Sequence, residues 1–377
     1  MWRLADVQRL DKRIVAGLLS GTSMDGIDVC LCEIHRQPWQ CRWLTARTVP
    51  YPPSLRWALL QSSGNLAQIA HWHRQIGEAF AEALAQVLAD FPTEVHLIGS
   101  HGQTVYHEHQ RVTLQLGEPA FLAARFGCPV VSDFRIHDVA VGGCGAPLVP
   151  YVDARLLGHL QRPVLALNLG GIANCTLVVA GQAHLAFDCG PANMVLDELA
   201  ALFTRGQQRC DRDGQWAKQG QLRQAWLDHL MAHPFLAQPP PKSAGREQFG
   251  AGFVQELVNY VNPGSPQSWY DLFATVTYFT AAAIVAQYRR WVRPQQEVTE
   301  VIVSGGGVHN PVLLQHLQDL FAPIPIHSSS IYGIDPDSKE ALAFAILAAE
   351  RIDGRPTNIP AVTGAQRAVL LGKITEL

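Results

Sequence analysis

Ile14-Val15-Ala16-Gly17-Leu18-Leu19-Ser20-Gly21-Thr22-Ser23-Met24-Asp25-Gly26-Ile27-Asp28-Val29-Cys30-Leu31-Cys32-Glu33-Ile34 is the stretch on which the fold turns. The apolar run at 14–19 predicts a buried strand, residues 20–26 a turn, and residues 27–34 a second strand. Glycines in such a turn let backbone amides approach an anion closely, and the hydroxyls of Thr22 and Ser23 can donate to phosphate oxygens. An ordinary hairpin explains the same residues, and the Gly-Lys-Ser/Thr step of a P-loop is missing.

The pattern recurs. Residues 163–169 predict an apolar strand, Gly170-Gly171-Ile172-Ala173-Asn174 a turn, and 175–180 another strand, as if a second lobe opened as the first did. A strand at 183–188 then ends in Asp188 and runs through Cys189-Gly190-Pro191-Ala192-Asn193 into a helix at 194–203, where Pro191 and Asn193 suit a helix entrance. A buried strand at 298–304 ends in Gly305-Gly306-Gly307, followed by Asn310-Pro311 at the start of a helix over 312–320. Three glycine-rich strand ends, two of them opening matched halves, are what a nucleotide clamped between duplicated lobes needs. The competing account is that glycine is common punctuation in any chain of this class.

Acids at such turns are candidates for holding Mg²⁺ and for taking a proton from a nucleophile. Asp25, Asp28 and Asp188 are the acids so placed, and Asp188 has the better setting for a base because it ends a strand facing a Gly-Pro turn. Aspartate is also a common turn residue.

Helices predicted at 55–60 and 66–91 alternate with short strands at 95–99 and 130–132, which makes the class α/β. Ser100-His101-Gly102-Gln103-Thr104 and Asp133-Phe134-Arg135-Ile136-His137-Asp138 follow strand ends, where open α/β sheets place ligands, and both read as loops. His101, Gln103, Arg135 and Asp138 can hydrogen-bond a polyhydroxylated substrate, and Arg135 can pair a carboxylate. Lys242-Ser243-Ala244-Gly245-Arg246-Glu247, after three prolines, reads either as a cover for an anion or as a solvated linker. Further helices are expected at 221–231, at 270–292 as a core helix, and at 337–350 with Glu340 in its first turn; the tail after Gly354 returns to the first lobe.

At 377 residues the chain exceeds what one core usually serves, so two domains are expected: 1–146 joined by 355–377, and 147–354. A net charge of -3 offers no field for nucleic acid, and the N-terminal apolar run is too short for a signal core or a span, so a cytoplasmic chain without membrane contact is expected. The eight cysteines lack paired spacing and read as reduced, mostly buried thiols, and His107-Glu108-His109 does not have the geometry to converge on one ion.

Together these segments resemble the anhydro-N-acetylmuramic acid kinase family, in order and over nearly the whole chain. The resemblance rests on Gly21 to Asp28, Ser100 to Thr104, Asp133-Phe134-Arg135, Gly145-Ala146-Pro147-Leu148-Val149-Pro150, Asn168 to Asn174, Phe187 to Asn193, Pro241-Lys242-Ser243, Gly245-Arg246-Glu247, Ser304 to Gly307 and Glu340 to Ala345. It implies two ribonuclease H-like lobes of the actin-like ATPase superfold, with mixed sheets flanked by helices and the active site in the interlobe cleft. It implies a phosphotransferase that hydrolyses the 1,6-anhydro bridge of 1,6-anhydro-N-acetylmuramic acid and phosphorylates O6, with ATP and Mg²⁺, in cell-wall recycling. A homodimer is expected from the same likeness.

The site that follows has Asp188 as general base; Gly21, Thr22, Ser23, Met24, Asp25, Gly26, Ile27, Asp28, Gly170, Gly171, Asn174, Gly190, Asn193, Gly305, Gly306, Gly307 and Asn310 around ATP; Gly102, Gln103, Arg135 and Glu340 around the sugar; and Asp25 and Asp188 for the metal. Ile136-His137, Cys144 and Ser338-Lys339 depart from the usual family residues. The rivals are another sugar or carboxylate kinase on this superfold, a nucleotide-dependent filament or sensor protein, and a hydrolase that uses Asp188 and Glu340 without ATP.

Overall fold

The computed structural model describes residues 1–21, 24, 26–60 and 65–377. They form two compact units, Met1–Val152 with Ser338–Leu377, and Asp153–Asp337.

In the first unit, β1 (Lys12–Ser20) and β2 (Gly26–Arg36) are antiparallel neighbours, with Leu19 opposite Asp28, and β3 (Trp39–Pro50) continues the meander. β4 (Leu97–Glu108) lies parallel to β1, β6 (Val130–Ser132) parallel to β4, and β12 (Lys373–Thr375) antiparallel to β6, while β5 (Val112–Leu116) folds back on the far half of β4. Alternation along the strands sorts the two faces. Ala16, Leu18, Val29 and Ile98 pack with Ile76, Phe80 and Leu84 of the helix Leu66–Asp90, whose start is closed by a reciprocal Asn65 and Gln68 cap. A fully buried side chain such as Phe80 contributes ~2–3 kcal/mol by leaving water.

On the opposite face Gly17 and Gly99 let the helix Lys339–Ile352 lie directly on the sheet, because a Cβ at either would collide with the Ala341 or Phe344 carbonyl. That helix therefore belongs to the first unit. The return begins at Ser338, not at 355, and the first crossing falls after Val152, not 146.

The second unit repeats the order. β7 (Val164–Leu169), β8 (Ile172–Val179) and β9 (Gln182–Pro191) form an antiparallel meander, and β10 (Glu300–Ser304) and β11 (Ile326–Ser328) add in parallel beside β7. Strands run β3-β2-β1-β4-β6 in one unit and β9-β8-β7-β10-β11 in the other, the ribonuclease H-like arrangement in both. Leu165, Leu167, Val301 and Val303 pack under Ile284, Leu313, Leu317 and Phe321 of the helices Pro266–Gln287 and Pro311–Phe321. The stretch Pro266–Val292 is long and apolar enough to cross a membrane, yet 72% of its apolar window is buried within the protein, which makes it the core helix expected.

Several expectations change. Of residues 133–138 all but Asp133 belong to a helix, Phe134–Ala140, because Phe134, Asp138 and Val139 face inward at helical spacing and the buried carboxylate disguises the pattern. Trp39–Pro50 carried no strand signal because its residues are mostly exposed or half-exposed at the sheet edge. Ser100 to Thr104 continue β4, and Ala173 and Asn174 lie inside β8, so the second turn shrinks to Gly170-Gly171. All eight cysteines are free thiols.

Candidate active site

In the second unit three backbone segments meet beyond the ends of β7 and β10. The amides of Ala192 and Met194 donate to the Gly171 carbonyl and that of Asn193 to the Gly170 carbonyl, each at 3.0 Å, which ties the glycine pair to the start of the helix Asn193–Phe203. The Asn193 carboxamide also donates to the Leu169 carbonyl at 3.0 Å. Gly305 donates to the Pro336 carbonyl at 2.8 Å and has φ +84°, where a Cβ would stand 2.7 Å from Asn168 Oδ1 and 2.8 Å from the Leu169 carbonyl. Only glycine meets both conditions. Gly170, Gly171, Asn193, Gly305, Gly306 and Gly307 are thus brought together at a helix entrance, a setting that favours anions, although the Asn193 and Gly305 amides themselves donate to protein carbonyls. Asn310 stands behind it: its side-chain oxygen accepts from the Val312 and Leu313 amides and caps the next helix.

Asp188 lies on β9 opposite Asn174, while Ala173 pairs with Gly190, so Cys189 is an extra residue in the strand. Such a bulge re-aims neighbouring side chains. Asp188 Oδ2 accepts from the Ala244 amide at 2.8 Å, and the Asp188 amide donates to the Lys242 carbonyl at 3.2 Å. Burial pushes the Asp188 carboxyl up to about 6, opposed by the Ala244 amide, the Ser243 hydroxyl and the Lys242 ammonium, with Glu247 adding to the rise. Above that pH it is a carboxylate able to take a proton.

The segment 242–247 is solvated at Ser243, Arg246 and Glu247, but it is not a free linker. Lys242 faces inward, donating to the Phe235 carbonyl at 3.0 Å and to Gln287 Oε1 at 2.8 Å, with its ammonium 4.4 Å from the Phe235 ring centre. Burial lowers its pKa to about 8. The segment is pinned against Asp188, a contact for which the sequence offered only the polar run itself.

The first unit holds the other glycine turn. Thr22, Ser23 and Asp25 lie outside the described residues. The Met24 amide donates to the Gly21 carbonyl at 3.1 Å, Arg56 Nε donates to the Met24 carbonyl at 2.9 Å, and Ser20 Oγ donates to the Gly26 carbonyl at 3.0 Å. Ile27 is a core residue, and Asp28 accepts from Thr48 Oγ1 at 2.5 Å. Gln103, expected beside the sugar, is fully buried and donates to the Gly21 carbonyl at 3.2 Å, while its oxygen accepts from Tyr51 at 3.4 Å. It buttresses the turn.

Arg135 and Glu340 do come together. Burial lowers Arg135 to about 10 while Glu340, the exposed residue in the otherwise buried first turn of Lys339–Ile352, opposes the fall, so the guanidinium stays charged. Arg135 Nε donates to His101 Nε2 at 2.9 Å, which requires His101 to carry its proton on Nδ1, 3.1 Å from the Gly102 carbonyl. Burial and Arg135 push His101 down to about 3, so it remains neutral, and its ring packs 4.5 Å from Phe344. Gly102 sits in left-handed conformation at φ +73° beside it. Asp138 is not a sugar ligand: it is wholly buried and accepts from the Gly145 amide, Asn358 and Thr363, each at 2.8 Å, which fixes the loop before Pro147. Among the described residues no group of three or more His, Cys, Asp and Glu gathers around one point; the His107 and His109 rings lie 5.1 Å apart, edge to face, and His107 Nδ1 meets Thr113 Oγ1 at 3.2 Å.

The sequence model of the anhydro-N-acetylmuramic acid kinase family matches residues 13–376. An anhydro-N-acetylmuramic acid kinase of Salinibacter ruber is 41% identical over 396 aligned residues, covering 99% of this chain and 98% of its own. One of Caldanaerobacter subterraneus subsp. tengcongensis is 37% identical with both chains covered in full, and one of Bacillus cereus is 40% identical over 96% of this chain and 98% of its own. The chain belongs to the anhydro-N-acetylmuramic acid kinase family and is an enzyme of that kind.

Proposed function

We propose that the chain uses ATP to open the 1,6-anhydro ring of 1,6-anhydro-N-acetylmuramic acid with water and to phosphorylate the released O6, giving N-acetylmuramate 6-phosphate and ADP. The observation that carries the reading is Asp188, a carboxyl held near 6 on the strand that leads into the backbone cluster of Gly170-Gly171 and Asn193. A scaffold that only bound phosphate would not need such an acid.

In this mechanism the Asp188 carboxylate takes a proton from a water whose oxygen bonds to C1 of the sugar. The C1–O6 bond breaks, its electron pair passes to O6, and O6 bonds to the γ-phosphorus while the bond to the β-phosphate oxygen breaks and ADP leaves. The amides around Gly170, Gly171 and Gly305 to Gly307, with the Gly21 to Gly26 turn, would hold the phosphates. Arg135 and Glu340, with Gly102 beside them, would orient the sugar.

Mg²⁺ is usually held by one or two carboxylates, phosphate oxygens and water and not by a closed protein cage. Asp188 supplies a donor of that type on β9 and fits the ion, and Asp25 is the second acid the sequence offers. When bound it would neutralise charge on the transferred phosphoryl group. The enzyme would act on small molecules in the cytoplasm, in recycling of peptidoglycan sugars. Incubation with ATP, Mg²⁺ and the anhydro sugar, followed by mass spectrometry, should yield a product heavier than the substrate by one water and one phosphoryl group; unchanged sugar would sink the reading.

A further inference from the structure

Lys242 is a half-buried cation with no place in the chemistry above, and the backbone of its segment holds Asp188. Its ammonium donates to the Phe235 carbonyl at 3.0 Å and to Gln287 Oε1 at 2.8 Å, and Gln287 in turn donates to the Leu236 carbonyl at 3.0 Å. Gln287 is 1% exposed and closes the core helix Pro266–Gln287, so the anchor is rigid. Phe235 is equally buried and its ring lies under the ammonium at 4.4 Å, which adds a cation–π contact.

From this anchor the chain reaches Asp188 twice within three residues. The Lys242 carbonyl accepts from the Asp188 amide, and two residues on the Ala244 amide donates to the Asp188 carboxylate at 2.8 Å. One bond fixes the backbone of the base and the other fixes its side chain. The segment is otherwise solvated, with Ser243, Arg246 and Glu247 exposed. A side chain that desolvates a charge to hold an exposed strand of chain in place costs stability unless the positioning matters.

We propose that Lys242 is a positioning residue for the reaction: its ammonium clamps the 242–244 segment to the core helix so that the Ala244 amide holds the Asp188 carboxylate in its working orientation. The inference rests on Asp188 being the base. Misplacing a catalytic group by about 1 Å can cost ~100-fold. Loss of the clamp is therefore expected in kcat, with the affinity for ATP, which the glycine turns govern, left alone.

The test compares Lys242→Met, Lys242→Arg and Gln287→Leu with the unaltered enzyme, measuring kcat, KM for ATP and for the sugar, and the folded fraction by melting. Lys242→Met should lower kcat by ~10-fold or more at unchanged KM for ATP, Gln287→Leu should lower it less, and Lys242→Arg should recover the larger part. The clamp is overturned if Lys242→Met keeps kcat within about twofold, or if Arg does no better than Met. It is overturned equally if kcat and ATP affinity fall together with the folded fraction, as a merely structural role would have it. Should Lys242→Met fail to fold, Gln287→Leu decides by the same criteria. Asp188→Asn run in parallel separates the two readings: normal turnover there removes the base itself, whereas an inactive Asp188→Asn beside a normal Lys242→Met removes only the clamp.

Discussion

The two glycine turns follow strands with the same place in the same strand order, yet they are held by different means. The turn after β7 is tied by main-chain bonds, from Ala192, Asn193 and Met194 to Gly170 and Gly171, and packs against Gly305 to Gly307. The turn after β1 has one main-chain bond among its described residues, from Met24 to Gly21, and is otherwise tied by side chains, with Gln103 on Gly21, Arg56 on Met24 and the adjoining Ser20 on Gly26. Duplicated topology thus preserves where an anion can be met while leaving open what steadies the turn. Among the described residues, it is beside the turn of the second unit that an acid is lifted to about 6. We assign binding to both turns and the proton transfer to one.

The largest effect should come from that acid. Asp188→Asn keeps shape and hydrogen bonds and removes the base, so turnover should fall by ~10²–10⁴-fold while ATP binding by calorimetry stays close to normal. Retained turnover would erase the distinction between the units. Next is Gly305→Val, which forces a branched side chain into left-handed backbone against Asn168 and Leu169; kcat/KM for ATP should drop by ~10-fold or more, with a lower melting temperature. Gln103→Leu should act more gently, because the Gly21 turn keeps its other ties. Losing bonds of ~0.5–1.5 kcal/mol predicts a rise of about 2- to 10-fold in KM for ATP, with KM for the sugar little changed. A rise confined to the sugar would return Gln103 to the role its sequence position first indicated.

The smallest effect concerns stability in protein free of metal and nucleotide. A carboxyl whose folded pKa is raised is most favourable to the fold while protonated, and that advantage is lost as pH climbs from about 4 through about 6. Asp188→Asn should accordingly melt higher than the unaltered protein at pH 8, by roughly 2–4 °C, with the gap closing near pH 4.

The sequence made the repeated strand-turn-strand openings and the three glycine-rich strand ends legible, because glycine and apolar runs are local signals. It also placed Asp188 on a strand, though that strand runs on past it to Pro191. What it could not show was which polar residues are turned inward. Gln103, Asp138 and Lys242 look like exposed ligands in a one-dimensional reading, yet each is engaged by partners distant along the chain: Gly21, Asn358 and Gln287. The bulge at Cys189 that sets the direction of Asp188 depends on its pairing with β8 and leaves no mark in composition. His101, read as a possible sugar ligand, has one nitrogen on Arg135 and the other near Gly102, which only the fold reveals.

The central claim is that water opens the ring at C1 under Asp188 and that O6, once released, receives the phosphoryl group. Running the reaction in ¹⁸O-labelled water and locating the label by mass spectrometry tests it most directly. The account predicts one label on C1 of the product and none in the phosphate; label in the phosphate, or an unlabelled product, would contradict it.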